Sequence, residues 1–289
     1  MTGIASKELL VIVLLLSALR VQLARSAGAS RIAFVGALLG FTALVQPSFI
    51  LFAFVILAFD WLRGVSFRQL LIHALLLSVE FALVVTPWTL RNQRVFGAFV
   101  LITTNGGSNF YRANNPLATG GFTPRGEVDL SSYGEIASNR VGFQLGQRWV
   151  MENPVDFFLL SLRKQILFLG DDSSGVYQAL RRRLSSSLVL YAVPKASCNA
   201  FWLAIWLAIG LGSYALIKNG TPIPFDATLL VLSVAYLYGL HSVFESDGKY
   251  HVPLTGVLAV LAGIVIYLGS RFPDARLDDF SKHQDGEEA

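Results

Sequence analysis

The chain has 289 residues, of which 54% are hydrophobic and only 15% are charged, far from the balance of an average soluble domain. The net charge of +4 lies in short segments between apolar runs, so it bears on membrane topology and gives no indication of nucleic-acid binding. The single cysteine, Cys198, excludes an intramolecular disulfide, and no His/Cys spacing typical of a metal site occurs.

Apolar runs recur along the chain at lengths near the roughly 20 residues that a helix needs to cross a bilayer. Because lipid offers no hydrogen-bond partners to the backbone, such runs predict transmembrane helices. The predicted fold class is therefore all-α: a polytopic integral membrane protein with about seven transmembrane helices and an extracytoplasmic loop region that carries interfacial helices. The runs cover residues 9–23, 32–62, 70–85, 201–217, 227–243 and 252–268.

The first run is predicted to be a retained helix that enters the cytoplasm at its C-terminal end. Arg20, Arg25 and Arg31 follow it, whereas Lys7 is the basic residue that precedes it, so the positive-inside rule places the N-terminus outside. A cleaved signal peptide with its core at residues 9–16 is the alternative. The absence of a small-x-small cleavage site before the arginines disfavours that alternative.

The second run, residues 32–62, is too long for one untilted span and contains Pro47. Proline removes a helix hydrogen bond and disfavours helical geometry at the residue before it, so two helices are predicted to meet at Gln46–Pro47. The next span is predicted to end outside at Pro87–Trp88, with Trp88 in the interfacial aromatic belt.

An outside segment with two helices of its own is predicted before the C-terminal spans. Residues 134–152 and 154–169 have helical patterns, and Arg163 and Lys164 interrupt the second, which is typical of a helix in the headgroup plane. Arg181–Arg183 are expected to contact anionic headgroups. The predicted organisation is N-terminal transmembrane helices in 1–87, an extracytoplasmic loop in 88–198, C-terminal transmembrane helices in 199–270 and a disordered cytoplasmic tail in 271–289.

The first group of candidate site residues is rich in amides and follows the span that ends at Pro87. An arginine just beyond a helix end can reach a phosphate, and asparagine offers both donors and acceptors to a sugar. Asn105-Gly106-Gly107 and Asn114-Asn115-Pro116 predict turns. An ordinary membrane anchor and ordinary turns are the alternative interpretation. The candidates in this group are Arg91, Asn92, Asn105, Asn114 and Asn115.

The second group lies at the outer mouth of the last span, where Lys249 and Tyr250 begin a helix. Unpaired backbone N–H groups at a helix start, together with a lysine, can hold a phosphate. A snorkelling lysine beside an interfacial tyrosine is the alternative. Charge counting places both groups on the outer face, so the sequence predicts one shared site. Glu8, at the outer edge of the first span, is either an acidic group of that site or a carboxylate favoured by the helix dipole.

His73 and Glu80 lie seven residues apart and share one face of a predicted span. Ionisable groups inside a membrane are candidates for proton relays, so a transporter or lipid-handling protein is the competing function, and Pro47 adds to it. A structural role is preferred, with Glu80 protonated or hydrogen-bonded to a neighbouring helix. The chain lacks a detectable internal repeat of the kind that transporters carry.

Residues 87–120 read PWTLRNQRVFGAFVLITTNGGSNFYRANNPLATG. The order of motifs resembles that of bacterial GT-C membrane glycosyltransferases related to the protein O-mannosyltransferases and to the aminoarabinose transferase of lipid A. Such proteins carry P-W-x-x-R-N, then F-G, then T-N-G-G, then N-N-P-x-a-T-G. The matching residues are Pro87, Trp88, Arg91, Asn92, Phe96, Gly97, Thr104, Asn105, Gly106, Gly107, Asn114, Asn115, Pro116, Thr119 and Gly120.

Three further segments are similar to the same family. GFTALVQP at residues 40–47 is similar to its G-l-a-x-L-x-R-P helix, with Gln46 in place of arginine. Asn153-Pro154 with Lys164 is similar to its N-P…K interfacial helix. KYHVPL at residues 249–254 is similar to R-Y-x-x-P-L, with lysine in place of arginine.

The resemblance covers nearly the whole chain but only the later part of the family. TGIASKE at residues 2–8 aligns Glu8 with the family's second acidic residue, whereas the loop that carries its first, catalytic acidic residue would precede Met1. The resemblance therefore implies the C-terminal portion of an enzyme, and the chain alone is expected to lack transferase activity. One part of a split enzyme, or a noncatalytic remnant, is a further alternative.

By this resemblance, the complete enzyme moves a sugar from a polyprenyl-phosphate donor to a lipid, glycan or protein acceptor at the outer face of the bacterial cytoplasmic membrane. An acidic residue acts as base on the acceptor hydroxyl, and cations stabilise the departing phosphate. No cofactor is assigned and no nucleic-acid partner is expected. The implied site residues are Glu8 as the catalytic candidate, Lys249, Arg91 and Tyr250 at the phosphate, and Asn92, Asn105, Asn114 and Asn115 as further substrate-binding residues.

Overall fold

The computed structural model describes residues 7–24, 28–122, 126–170 and 188–270, together with Val176 and Leu180. Within those ranges the chain forms ten α-helices and one 3₁₀ turn, with no strand. The contacts expected of Arg181–Arg183 and the tail predicted at 271–289 lie outside the described residues. The helices are α1 Lys7–Leu23, α2 Ala29–Val45, α3 Ala53–Leu62, α4 Phe67–Phe96, α5 Gly106–Ala113, α6 Glu135–Glu152, α7 Pro154–Gly170, α8 Leu188–Asn219, α9 Ala227–Val243 and α10 Gly248–Ser270.

Three helices, α4, α8 and α10, are long and apolar enough to cross a membrane. Helices α2 and α9, and the segment Pro47–Leu62 that contains α3, are apolar but shorter. Only 11% of the most apolar stretch of α4 is buried inside the protein, so most of its apolar side chains point outward. An apolar surface of that extent requires lipid around it. The described part of the chain thus supports the predicted class of an all-α membrane protein.

The predicted break at Gln46–Pro47 is confirmed. Helix α2 ends at Val45, and Gln46 has extended geometry, with its N–H bonded to the Thr42 carbonyl oxygen. Pro47 then opens a short 3₁₀ turn, where its missing N–H removes no helix hydrogen bond. Phe49 in this turn is fully buried, so the turn is held inside the helix bundle.

The helix end predicted at Pro87–Trp88 is wrong. Helix α4 continues past this point and ends at Gly97, whose φ of 63° is the left-handed geometry of a helix C-cap. Pro87 removes one backbone hydrogen bond from the helix. Further bonds offset that loss, because the Trp88 indole N–H and the Asn92 amide both donate to the Ile102 carbonyl oxygen. The chain after Gly97 therefore folds back along the last turns of α4.

The two helices predicted inside the outer segment are confirmed as α6 and α7. Helix α8, by contrast, begins at Leu188, earlier than the predicted start beyond Cys198, and runs through Pro194. The predicted outer segment, residues 88–198, therefore shares its two ends with the long helices α4 and α8.

One end of the bundle is tied together by a buried aspartate. Asp60, near the end of α3, is only 2% exposed. Gln22 Nε2 donates to its Oδ1 at 2.7 Å, and His73 Nδ1 lies 2.7 Å from its Oδ2, so α1, α3 and α4 are joined. The His73 side chain is thus paired across helices. Glu80, its predicted companion, has its Cβ against the backbone of Gly36 in α2.

Asp60→Ala is expected to lower the free energy of unfolding by about 2 kcal/mol, because it leaves the buried Gln22 amide and the His73 ring without their acceptor. Thermal unfolding of the purified protein in detergent measures the loss. Asp226→Ala is the control, because its half-exposed carboxylate lies 3.9 Å from Arg63 and such a pair contributes about 0.5 kcal/mol. Equal losses in the two variants would show that the buried network stabilises no more than a surface pair.

The same contacts show which helix termini lie together at each end of the bundle. Gln22 and Asp60 place the C-terminal ends of α1 and α3 beside the first turns of α4, so Glu8 and the last turns of α4 lie at the opposite end. Arg63 and Asp226 bring the start of α9 to the Asp60 end as well. The end of α9 and the start of α10 therefore lie at the end that holds Glu8, which is called the rim below.

Candidate functional site

Two segments meet at the rim: residues 114–121, called the amide loop, and residues 244–247, called the rim linker, which joins α9 to α10. Asn114 Nδ2 donates to the last carbonyl oxygen of α9 at 2.8 Å. The Ser246 N–H donates to the Gly120 carbonyl oxygen at 2.9 Å. Two segments far apart in the sequence are therefore joined by hydrogen bonds at the rim, and Asn114 from the first group of candidates lies on this contact.

Lys164, on α7, lies at the centre of this meeting point. Its side chain is fully buried, and Nζ lies 2.9 Å from Asn114 Oδ1, 3.1 Å from the Val243 carbonyl oxygen and 3.3 Å from that of Ser242. The two carbonyl oxygens end α9, where they lack helix partners and attract a cation. Burial lowers the pKa of the Lys164 amine to about 7, while three oxygen acceptors match the three N–H bonds of its protonated form.

The rim linker holds a buried carboxylate. Glu245 is 6% exposed, and its Oε1 accepts a hydrogen bond from the Tyr250 hydroxyl in the first turn of α10. His241, near the end of α9, is also buried, and its Nδ1 lies 2.9 Å from the Glu245 carbonyl oxygen. A carbonyl can only accept, so Nδ1 carries the proton and Nε2 of the neutral ring is an acceptor. Glu245 Oε2, His241 Nε2 and the Ser246 hydroxyl are buried and have no partner among the described residues.

Two cations flank Tyr250. Lys249 Nζ lies 4.5 Å from the centre of the Tyr250 ring, and the Arg112 guanidinium is close enough to act electrostatically on the Tyr250 hydroxyl. Arg112 and Lys249 balance the charges of Glu245 and the neighbouring Asp247, so the protonated form of Lys164 gives this site a net positive charge that favours an anionic ligand. The titratable side chains that converge here are called the rim cluster: Arg112, Lys164, His241, Glu245, Lys249 and Tyr250.

The turn predicted at Asn105-Gly106-Gly107 is wrong, because Asn105 is an N-cap and the two glycines begin α5. The reason is close packing that the sequence alone does not show. A Cβ at Gly107 would lie 1.8 Å from the Asn139 carbonyl oxygen, and one at Gly142 would lie 2.5 Å from the Gly107 backbone. Helix α5 is thus pressed against α6 at backbone distance, and this contact positions the amide loop that follows it.

The Asn114 and Asn115 side chains form hydrogen bonds to the backbone of the protein. Both are buried at the end of α5. Asn114 Nδ2 donates to a carbonyl oxygen of α5 as well as to the end of α9. Asn115 Nδ2 donates to the carbonyl oxygens of Tyr111 and Arg112, and its Oδ1 accepts from the Leu117 N–H. These two amides therefore shape the amide loop by capping α5, and their donors are already engaged.

Arg91 and Asn92 form a separate group on α4. The buried Asn92 amide donates to the Val100 and Ile102 carbonyl oxygens, which holds the returning chain on the helix. Arg91 is exposed; its guanidinium lies 5.0 Å above the Trp88 ring and donates to Asn92 Oδ1 at 3.2 Å. No hydrogen bond or ion pair of the described residues joins this group to the rim cluster, although the last turns of α4 lie at the rim.

Sequence reasoning missed Arg112, Lys164, His241 and Glu245 as site residues. A signal existed for two of them, because a histidine and a glutamate four residues apart end an apolar run just before Lys249. Arg112 gave no such signal, since its position depends on α5 being a helix. Of the predicted residues, Lys249 and Tyr250 lie in the rim cluster, while Glu8 is half-buried in the first turn of α1. Within the described ranges, no three His, Cys, Asp or Glu side chains are grouped so that they could hold a metal ion.

Comparison with known proteins adds no relative: no protein-family model matches the sequence, and neither a curated protein nor a solved structure matches it. The geometry of the rim and the resemblance carried by residues 87–120 and 249–254 are therefore the observations that bear on function.

Proposed function

We propose that the protein is a membrane glycosyltransferase, or the C-terminal part of one, that transfers a sugar from a polyprenyl-phosphate donor to an acceptor at the outer face of the bacterial cytoplasmic membrane. The observation that carries the proposal is the hydrogen-bonded meeting of the amide loop with the rim linker, through Asn114 at 2.8 Å and Ser246 at 2.9 Å. Residues of the first resembling motif, Asn114 and Gly120, thereby bond to the segment that directly precedes the second, KYHVPL. A lipid phosphate matches this setting, because its anion suits the rim and its isoprenoid chain suits the apolar helices.

In this proposal Lys249 and Arg112 hold the donor phosphate. Lys249 lies over the Tyr250 ring, and Arg112, which bonds to Asn109 and lies over the Phe122 ring, acts on the Tyr250 hydroxyl electrostatically. The backbone N–H groups at the start of α10 add positive potential at the same end of the bundle. Lysine offers a point charge in place of the planar fork of arginine, so Arg112 is the group suited to two parallel hydrogen bonds. Arg91, stacked on Trp88, is a further cation at the rim for the same lipid or its neighbours.

The reaction is a displacement at the anomeric carbon of the sugar. A carboxylate accepts the proton of the acceptor hydroxyl, and the acceptor oxygen forms a bond to the anomeric carbon. The bond from that carbon to the phosphate oxygen breaks, and the phosphate leaves with the electron pair. The cations of the rim stabilise that leaving charge. Glu8 is the candidate base by resemblance, at the rim end of α1, and the acceptor is a lipid, glycan or protein.

Lys249→Met is expected to weaken binding of neryl phosphate, a short polyprenyl phosphate, about tenfold, because one charge-assisted contact to the anion is lost. Arg112→Met is expected to weaken it to a similar degree. Titration calorimetry in phosphatidylcholine nanodiscs measures both. Lys218→Met is the control, because this exposed lysine ends α8 at the other end of the bundle. Unchanged affinity in both Lys249→Met and Arg112→Met would show that this site does not bind the phosphate.

Transfer itself is tested in proteoliposomes with radiolabelled glycosyl polyprenyl phosphates and a membrane extract that supplies acceptors. The chain is compared with the product of the same reading frame extended upstream of Met1. Turnover only by the extended product supports the C-terminal part of an enzyme. Turnover by the chain alone supports a complete enzyme and contradicts the expectation that it lacks activity. If neither transfers sugar and neither binds neryl phosphate, the proposed function is wrong.

A lipid-handling or transport function is the second candidate, and the Asp60–His73 pair favours it. A buried carboxylate bonded to an imidazole can hold a proton between helices. This function predicts that the protein moves a fluorescent polyprenyl phosphate between leaflets of a vesicle and that His73→Gln slows the movement. Transfer of sugar without lipid movement would exclude it in favour of the first proposal.

A further inference from the structure

Of the buried polar atoms near the rim that lack a hydrogen-bond partner among the described residues, three belong to the end of α9 and the rim linker: Glu245 Oε2, His241 Nε2 and Ser246 Oγ. Arg112 Nε and Gln165 Oε1 are two others. The side chains of Glu245, His241 and Ser246 are 6%, 3% and 0% exposed. A buried polar atom without a partner destabilises the folded protein, so an arrangement that keeps several together at one place needs a reason. A bound ligand that supplies the missing hydrogen bonds is such a reason.

The atoms themselves restrict the chemistry of the ligand. A carboxylate oxygen accepts hydrogen bonds, and Nε2 accepts because Nδ1 of the same ring donates to the Glu245 carbonyl oxygen. The serine hydroxyl does either. The ligand must therefore bring several hydrogen-bond donors. A phosphate does not have them, whereas a sugar ring carries hydroxyl groups on neighbouring carbons.

We propose that Glu245, His241 and Ser246 form the subsite for the sugar ring of the donor, an inference that rests on the glycosyltransferase function proposed above. Tyr250 connects this subsite to the phosphate cations. Its hydroxyl donates to Glu245 Oε1, its ring lies 4.8 Å from the His241 ring, and Lys249 Nζ lies 4.5 Å from its centre. Sugar and phosphate are joined through one oxygen in the donor, so their two subsites must be neighbours, as these groups are.

Access to the subsite depends on the rim linker. Its four residues, 244–247, are not helical, and the described contacts hold it to the outer region at two points. One is the Ser246 N–H bond to Gly120, and the other is the contact between the Phe110 and Phe244 rings, whose centroids are 5.7 Å apart. Exposure of Glu245 therefore requires this segment to release both contacts, together with the bonds that join Glu245 to His241 and Tyr250.

The test measures binding of neryl phosphate and of its glucosyl, mannosyl and arabinosyl phosphodiesters in phosphatidylcholine nanodiscs. The wild-type chain is expected to bind at least one sugar conjugate about tenfold more tightly than the bare phosphate. Glu245→Gln is expected to abolish this sugar-dependent gain without weakening the binding of bare neryl phosphate, since the amide keeps an acceptor for Tyr250 and removes a negative charge near the anion. Ser246→Ala is expected to reduce the gain about threefold. Glu152→Gln, on the exposed face of α6, is the control.

The outcomes separate this inference from the function on which it rests. Binding of bare phosphate without a gain for any of the three sugars overturns the sugar subsite and leaves the glycosyltransferase proposal standing. Equal losses for bare and conjugated phosphate in Glu245→Gln and in Ser246→Ala also overturn it, because they indicate a structural role. A gain that disappears when EDTA is added overturns it in favour of a cation at the three atoms. Failure to bind any of the four compounds contradicts both proposals.

Discussion

Replacing Gly107 by alanine should separate α5 from α6 and lower the free energy of unfolding by about 3 kcal/mol or more. The new Cβ would lie 1.8 Å from the Asn139 carbonyl oxygen, and a backbone atom cannot move aside as a side chain can. The Gly107 N–H also loses its 2.6 Å bond to Asn139 Oδ1 when the helices separate. Thermal unfolding in detergent and the rate of tryptic cleavage after Arg112 measure the effect, and both should change together.

Gly106→Ala is a closely matched control, because it adds the same methyl group to the same turn of α5. The nearest atom to that Cβ would be Phe143 Cζ at 3.4 Å, an ordinary contact. Alanine also favours a helix over glycine by about 1 kcal/mol at most, so this variant should be neutral or slightly more stable. Equal behaviour of the two variants would contradict the backbone contact between α5 and α6.

Lys164→Met should lower the free energy of unfolding by about 3 kcal/mol, since it removes one buried amine that serves three acceptors. Methionine fills a similar volume but donates nothing, so the Asn114 side-chain oxygen and the last two carbonyl oxygens of α9 lose their common partner. The loss should also weaken neryl phosphate binding, because the amide loop and the rim linker are held together partly by this side chain.

Arg163→Met provides the comparison for Lys164, because Arg163 precedes it on α7 and is exposed. Removal of an exposed charge is expected to change stability by about 0.5 kcal/mol or less. A loss in Arg163→Met as large as that in Lys164→Met would mean that the charge of α7, and not the buried contact, is what matters.

Features written in local sequence were predictable. The break at Gln46–Pro47 follows from one proline at the end of an apolar run, and α9 occupies the predicted residues 227–243 because polar turns bound it on both sides. Helices α6 and α7 have a helical pattern in the sequence and are separated by Asn153-Pro154. In each case the signal and the structure it specifies lie within a few residues of each other.

Features that depend on tertiary contacts were not predictable in the same way. Pro87 looks like a helix end, yet the helix persists because the chain beyond Gly97 returns and bonds to Trp88 and Asn92. Asn105-Gly106-Gly107 looks like a turn, yet its small residues serve a contact with α6. Local propensity was overruled in both places by partners distant in the sequence.

The candidate site was likewise predictable in part: its position follows from local sequence, and its chemistry depends on tertiary contacts. Its position at one end of the bundle was predictable, because basic and aromatic residues at the ends of apolar runs indicate a membrane face. Its chemistry was not, since the roles of Asn114 and Asn115 depend on which backbone groups they reach. Lys164 was noted as an interruption of an apolar stretch and as part of the N-P…K resemblance, but the oxygen atoms that surround it come from α9 and the amide loop.

The unbroken course of α4 determines how far its C-terminal end extends beyond the membrane. At 30 residues the helix is about 45 Å long, against about 30 Å for the hydrocarbon core of a bilayer. If its first turns lie at one surface of the hydrocarbon core, its last turns extend about 15 Å beyond the opposite surface. Trp88 and Arg91, about 32 and 36 Å from the start of the helix, would then lie at the level of the headgroups, just beyond the acyl chains.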